Sequence, residues 1–236
     1  MPESARFVER TLRDLIEGRV DMADLVISKT LRSFYKDPTR IAHNVLAQRI
    51  GERDPGSKPQ SNDRIPYVYV VPPPALARQH AAMLLQGDRI ETPEYVRQHG
   101  LTPDYRHYIT NQVMKPVLQI YALPGVLEQL PAYRADARLS GPRALADAVA
   151  AAGGDARKGR DKLAALRERE VERLLFAPAL AHPRLGAARL TAGDRAHHAS
   201  LLSNLRNKEN AKNRQHQITS FFGNKAAPPS SAGAGG

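Results

Sequence analysis

The residues best equipped for chemistry in this chain are basic. Lys29, Arg32, Tyr35, Lys36, Arg40, His43, Arg49, Arg53, Lys58 and Arg64 surround one expected helix and the loop that follows it. Cations spaced in this way meet successive phosphates along a nucleic-acid backbone, where each one displaces condensed counterions. The Ser, Asn, Gln and Gly residues between them supply short donors and let the backbone approach closely. The same residues also read as an ordinary solvated helix face and loop. The candidate contacts are Lys29, Lys36, Arg40, His43, Arg49, Arg53, Lys58 and Arg64.

The whole-chain charge points the same way. Among 236 residues, 35 Lys+Arg stand against 24 Asp+Glu, a formal net charge of +11. A field of that sign favours polyanions: DNA, RNA or an anionic membrane surface. An arginine-rich composition that serves only solubility has the same balance. Cysteine is absent, which excludes disulfides, cysteine zinc sites and thiol catalysis. No apolar run approaches the roughly 20 residues of a membrane span. The opening MPESARFVER lacks a signal-peptide core. The expectation is a soluble, intracellular protein with no membrane partner.

Catalytic signatures are missing. HExxH, GxSxG and GxxxxGK[ST] do not occur. His197-His198 and the scattered His43, His80, His99 and His107 lack metal-ligand spacing and are assigned to surface or packing. Asp37, Asp54 and Asp104 read as caps and turn residues. No catalytic residue and no metal ligand is assigned.

Helical periodicity predicts a first helix over Ser4–Glu17, with Phe7, Val8, Leu12, Leu15 and Ile16 on its apolar face. Leu25-Val26-Ile27 reads as a short strand. Asp37-Pro38 starts a helix with Ile41, Val45, Leu46 and Ile50 inward, closed by Gly51. Arg53–Arg64 is a loop, and Ile65–Val71 a strand carrying Tyr67 and Tyr69 on one face, ended by Pro72-Pro73-Pro74. Thr92-Pro93-Glu94 and Thr102-Pro103-Asp104 start two further helices, the second reaching about Tyr121 with a bend at Pro116. Residues 133–160 read as weakly ordered, Asp161–Phe176 as a helix, and 182–200 as loop-rich. The basic stretch after Asn204 ends in AAPPSSAGAGG, a low-complexity tail expected to be disordered.

Several spaced motifs then occur in one order. They are Leu25-Val26-Ile27-Ser28-Lys29-Thr30-Leu31, Ala42-His43 with Leu46-Ala47 and Arg49, and Arg53-Asp54-Pro55-Gly56. Pro59, Asp63-Arg64-Ile65-Pro66-Tyr67-Val68, Asp88-Arg89 and Pro93-Glu94-Tyr95 follow. Tyr105-Arg106-His107-Tyr108-Ile109, Gln112 and Lys115-Pro116 complete the series. In this the chain resembles the C-terminal thumb region of B-family DNA-directed DNA polymerases, over roughly residues 5–122. The resemblance implies an α+β, mainly helical thumb-like domain with short strands, which clasps a primer-template duplex from its backbone and minor-groove side. It implies that Tyr67 packs beneath the loop. The division expected is a duplex-binding domain over 1–122, a partly disordered helical extension over 123–203 and a basic disordered tail over 204–236.

The palm motifs of that family, resembling DxxSLYPS and YGDTDS, and its fingers motif are absent from this sequence. The resemblance therefore implies that the active site and its Mg2+ belong to a palm-and-fingers portion outside this chain. The chain alone is expected to be inactive and to carry no cofactor, being either a fragment or one product of a split gene. The alternative is a stand-alone, non-catalytic accessory protein that binds DNA and a clamp. The missing cysteine-rich terminal module leans toward a virus-type enzyme acting in the nucleus or at a viral replication site.

Gln215-His216-Gln217-Ile218-Thr219-Ser220-Phe221-Phe222 resembles the PCNA-interacting peptide. One tight turn from Ile218 to Phe222 would put Ile218, Phe221 and Phe222 on one side as an apolar plug, with Gln215 left outside to hydrogen-bond. A few aromatic anchors of this kind dominate small interfaces. The resemblance implies a sliding clamp as partner, bound through Gln215, Ile218, Phe221 and Phe222.

Overall fold

A computed structural model describes residues 3–73, 85–130, 132–186 and 190–223. Within these, the fold is mainly helical around one small antiparallel sheet of order β1-β2-β3. Strand β1 (Ile27–Thr30) pairs with β2 (Arg64–Tyr69), setting Ile27 opposite Tyr67 and Lys29 opposite Ile65. Strand β3 (Ile90–Glu91) pairs with the other edge of β2, setting Val68 opposite Glu91. A bridge from Val70 to Pro103, bonded through the Tyr69 carbonyl and the Val71 N–H, continues the edge of β2 that pairs with β1.

Helix α1 (Glu3–Glu17) buries Ala5, Val8, Leu12 and Leu15. Phe7, expected on this face, is 61% exposed. At 100° per residue it lies about 120° round from the centre of the buried stripe. The expected strand at Leu25–Ile27 is displaced. Asp21 caps the Ala23 N–H and starts a single helical turn, α2 (Met22–Leu25), so the strand begins at Ile27.

Asp37 caps Thr39, but only one 3-10 turn follows (Pro38–Arg40). Ile41 is extended, and helix α3 runs from Ala42 to Arg53, with Ala42, Leu46 and Ala47 buried against β2 and β3. Gly51 does not close it. A Cβ there would sit 2.8 Å from Lys58 Cγ, because the Lys58 stem lies across the helix at that point.

Helix α4 (Pro93–His99) begins as expected, with Thr92 accepting from the Tyr95 N–H, and ends on Gly100 in the left-handed region. The next start shifts by one step. Asp104, not Thr102, caps helix α5 (Tyr105–Tyr108). A π-turn (Ile109–Val113) joins it to α6 (Met114–Tyr121). Pro116 lacks the N–H that would reach Gln112, and its ring crowds that carbonyl, so the chain widens one turn earlier.

The region expected to be weakly ordered contains α7 (Ala137–Ser140), α8 (Ala144–Ala150) and the start of α9 (Ala156–Val171). Asp136 and Asp155 cap α7 and α9. A second π-turn (Glu172–Phe176) precedes α10 (Ala177–Leu180), again just ahead of a proline, Pro178. A short helix α11 (Pro183–Gly186) follows.

The stretch expected to be loop-rich gives way at Ala192 to α12 (Ala192–Gly223). Disorder was expected from residue 204, yet the helix continues to Gly223, because no Pro or Gly interrupts it after Gly193. Residues 224–236 lie outside the described residues. One hydrophobic core joins Leu46, Val68, Ile90 and Ile109 of the first half to Leu127, Leu163, Val171 and Phe176 of the second. No helix among the described residues is long and apolar enough to cross a membrane.

Candidate nucleic-acid interface

The expected basic band divides into an exposed rim and a buried hub. The rim starts at the end of β1. Lys29 stands opposite Ile65, exposed, and its positive charge reaches His43 at the start of α3. His43 lies below its ordinary value chiefly through burial, then through the positive charges of Lys29 and Arg32. Tyr35 orders this corner. Its hydroxyl accepts the Arg32 backbone N–H at 2.7 Å and lies 3.0 Å from His43 Nε2. The two rings meet edge to face at 5.9 Å.

Lys36 and Arg40 continue the rim in the exposed segment before α3. Arg40 is paired with Asp37 at 3.1 Å, an exposed contact of small energetic weight. Lys58 crosses α3 at Gly51 and leaves its ammonium in solvent. Arg64 is exposed opposite Thr30, on the sheet face away from Lys29. Among the described residues, Lys29, Lys36, Lys58 and Arg64 have no ion-pair partner, whereas Arg40 does. Tyr67 is 5% exposed and packs inside, as expected.

Arg49 and Arg53 point elsewhere. Both turn to Glu91 of β3, which is fully buried. Arg49 Nη1 donates to Glu91 Oε1 at 2.6 Å and to the Ile90 carbonyl at 3.1 Å, and Nη2 donates to the Gly87 carbonyl. Arg53 grips both carboxylate oxygens, at 3.0 and 2.8 Å, and its guanidinium lies 3.7 Å above the Tyr95 ring. Burial pushes the Glu91 carboxyl up, but the Arg53 hydrogen bond and the two positive charges outweigh it and hold it below its ordinary value. Both arginines, named among the expected phosphate contacts, are bonded to Glu91 here, and Arg53 keeps a third of its side chain exposed.

Sequence reasoning missed Glu91. Its signal was the i, i+4 spacing of Arg49 and Arg53, which puts both guanidinium groups on one side of α3. It also missed Asp194, 1% exposed, which accepts from Thr102 and Thr191. His197 and His198 are packing residues, as expected: both are buried, and His198 Nε2 lies 2.8 Å from the Val71 carbonyl. Among the described residues no group of three or more His, Asp or Glu could hold a metal ion. Gln215, Ile218, Phe221 and Phe222 fall in the last turns of α12. Their side chains lie outside the described residues.

Comparison with known proteins finds relatives among DNA polymerases. A "DNA polymerase" of Pyramimonas orientalis virus is 44% identical over 183 residues, 75% of this chain and 14% of the relative. The "DNA polymerase" of Acanthamoeba polyphaga mimivirus is 45% identical over 121 residues, 51% of this chain and 7% of the relative. The "DNA polymerase delta catalytic subunit" of Caenorhabditis elegans is 40% identical over 116 residues, 49% of this chain and 10% of the relative. The chain thus spans a small part of each of these relatives. Residues 1–123, which hold the sheet, the rim and the Glu91 hub, match the DNA polymerase family B profile, and the chain belongs to that family.

Proposed function

We propose that this chain is the duplex-gripping, thumb-type part of a DNA-directed DNA polymerase of family B. The observation that carries the reading is the exposed cationic rim, Lys29, Lys36, Lys58 and Arg64 with no ion-pair partner among the described residues, inside the segment that matches the family. Such a rim holds phosphates without reading bases, as a copying enzyme requires. Arg40 and neutral His43 border it. The complete enzyme extends a primer with deoxynucleotides, using Mg2+ held by palm residues in a portion beyond this chain. The peptide Gln215–Phe222 tethers it to a sliding clamp of the PCNA type. It acts where DNA is replicated, in the nucleus or at a viral replication site.

The test is binding of the chain to a primer-template duplex across a salt series. The expected result is tight binding at low salt, with log affinity falling linearly in log salt. A chain that fails to bind duplex at roughly 50 mM salt, or whose affinity ignores salt, sinks the grip.

A further inference from the structure

Helix α12 is fastened at its root by a dense set of contacts. The Asp194 carboxylate accepts the Thr102 backbone N–H at 2.9 Å, the Thr102 hydroxyl at 2.7 Å and the Thr191 backbone N–H at 2.9 Å. Thr191 donates its hydroxyl to the Gly100 carbonyl at 2.8 Å and accepts the Asp194 N–H at 2.9 Å. One turn on, His198 meets the Val71 carbonyl, and His197 Nδ1 lies 4.0 Å from Glu91 in the hub. Gly193 permits the approach, since a Cβ there would collide with the His99 carbonyl.

The clasp also sets a direction. Leu201 is buried, and with Asn204 and Asn207 it lines a groove whose other wall is Val45, Gln48 and Glu52 of α3. Helix α12 therefore runs beside the helix that borders the cationic rim, at least as far as Asn207. From there to Gly223 the helix reaches roughly 24 Å further.

We infer that α12 is a directed arm. Asp194 is a positioning residue that holds the arm against α3, so that the clamp-binding peptide stands at a fixed bearing from the duplex grip. This rests on the clamp-tethering reading above. On a loose tail the peptide would sample many bearings, and chain statistics would set its effective concentration at the clamp. On the arm, duplex and clamp are engaged together only when the clamp encircles the duplex that the rim holds.

The test uses the complete polymerase, its sliding clamp and a primed circular template. Asp194→Ala opens the clasp. Ala211→Pro breaks the helix beyond the α3 groove while leaving clasp and peptide unchanged. Both variants should shorten clamp-dependent products at least fivefold, leave clamp-free extension unchanged and alter the Kd for free clamp less than twofold. Amide exchange at Thr102 and Thr191 should rise in Asp194→Ala alone, which separates an open clasp from global unfolding. The double variant Phe221→Ala/Phe222→Ala should lose clamp binding itself. Wild-type clamp-dependent products from either arm variant, with the double Phe variant still defective, overturn the arm. Undiminished clamp stimulation in the double Phe variant removes the tether, and the arm with it.

Discussion

The rim and the hub are built from the same side chains and put them to opposite uses. Lys29 and Lys58 hold their charges in solvent, while Arg49 and Arg53, from the same short stretch, converge on Glu91. The deciding partner lies about 40 residues away in sequence and reaches α3 only because β3 pairs with β2. Basic residue type therefore does not by itself mark a phosphate contact. Once the fold is formed, a cation that already faces a buried carboxylate has fewer donors left to offer a phosphate.

The largest separation of the two regions comes from Glu91→Ala. It leaves two guanidinium groups facing each other in a poorly solvated site, and breaking such a pair costs about 3–5 kcal/mol. The melting temperature should fall by on the order of 10 °C. The salt slope of DNA binding should stay unchanged, because no rim charge is altered. A stability loss under about 1 kcal/mol would show that water replaces the carboxylate easily and that the hub is not structural.

Acid should also act on the interior before the rim. His107 stacks on Tyr69 at 3.7 Å, and His197 lies beside the hub. Burial is the main cause that holds both at about 4, and the charge of Arg89 adds to it at His107. At His197, Glu91 works against burial and is outweighed. Both pKa values are depressed, so between about 6.5 and 4 the unfolded chain takes up protons that the folded chain refuses. Stability is then complete above about 6.5 and falls as pH drops toward 4. At pH 5 the loss relative to pH 7 should be on the order of 2 kcal/mol for each histidine, read from denaturant midpoints. His197→Phe should flatten the curve, and midpoints equal at both pH values would contradict the assignment.

How much of this was legible in sequence depends on the range of the determining contact. The cap at Thr92, the strand carrying Tyr67 and Tyr69 and the family were readable, because local signals or motif order carry them. Residues 133–160 looked weakly ordered because Ala, Gly and Arg give little apolar periodicity, yet Asp136 and Asp155 cap helices that bury Leu139 and Leu163 in the core, and the uncapped helix between them buries Ala148. The root of α12 was unreadable for a related reason. Thr191 and Asp194 are fixed by Gly100 and Thr102, and no window around 191–198 contains those partners. Gly51 was misread as a helix stop, since its real reason is the Lys58 stem that crosses it.

That crossing gives the smallest effect and the finest distinction within the rim. Lys58 touches α3 through its methylenes while its charge faces water, so Lys58→Ala removes both packing and charge. Lys58→Met keeps most of the stem and removes only the charge. If the rim binds phosphate, Lys58→Met and Lys29→Ala should each lower the salt slope of duplex binding by about one and weaken binding uniformly across sequences. Stability should change by less than about 0.5 kcal/mol in Lys58→Met. Lys58→Ala should show the same slope with a lower melting temperature, because the groove over Gly51 is then left open. Arg53→Ala should do the reverse, losing stability through Glu91 and Tyr95 while keeping the salt slope. If Arg53→Ala instead flattens the slope and Lys58→Met leaves it intact, the division between rim and hub is drawn in the wrong place.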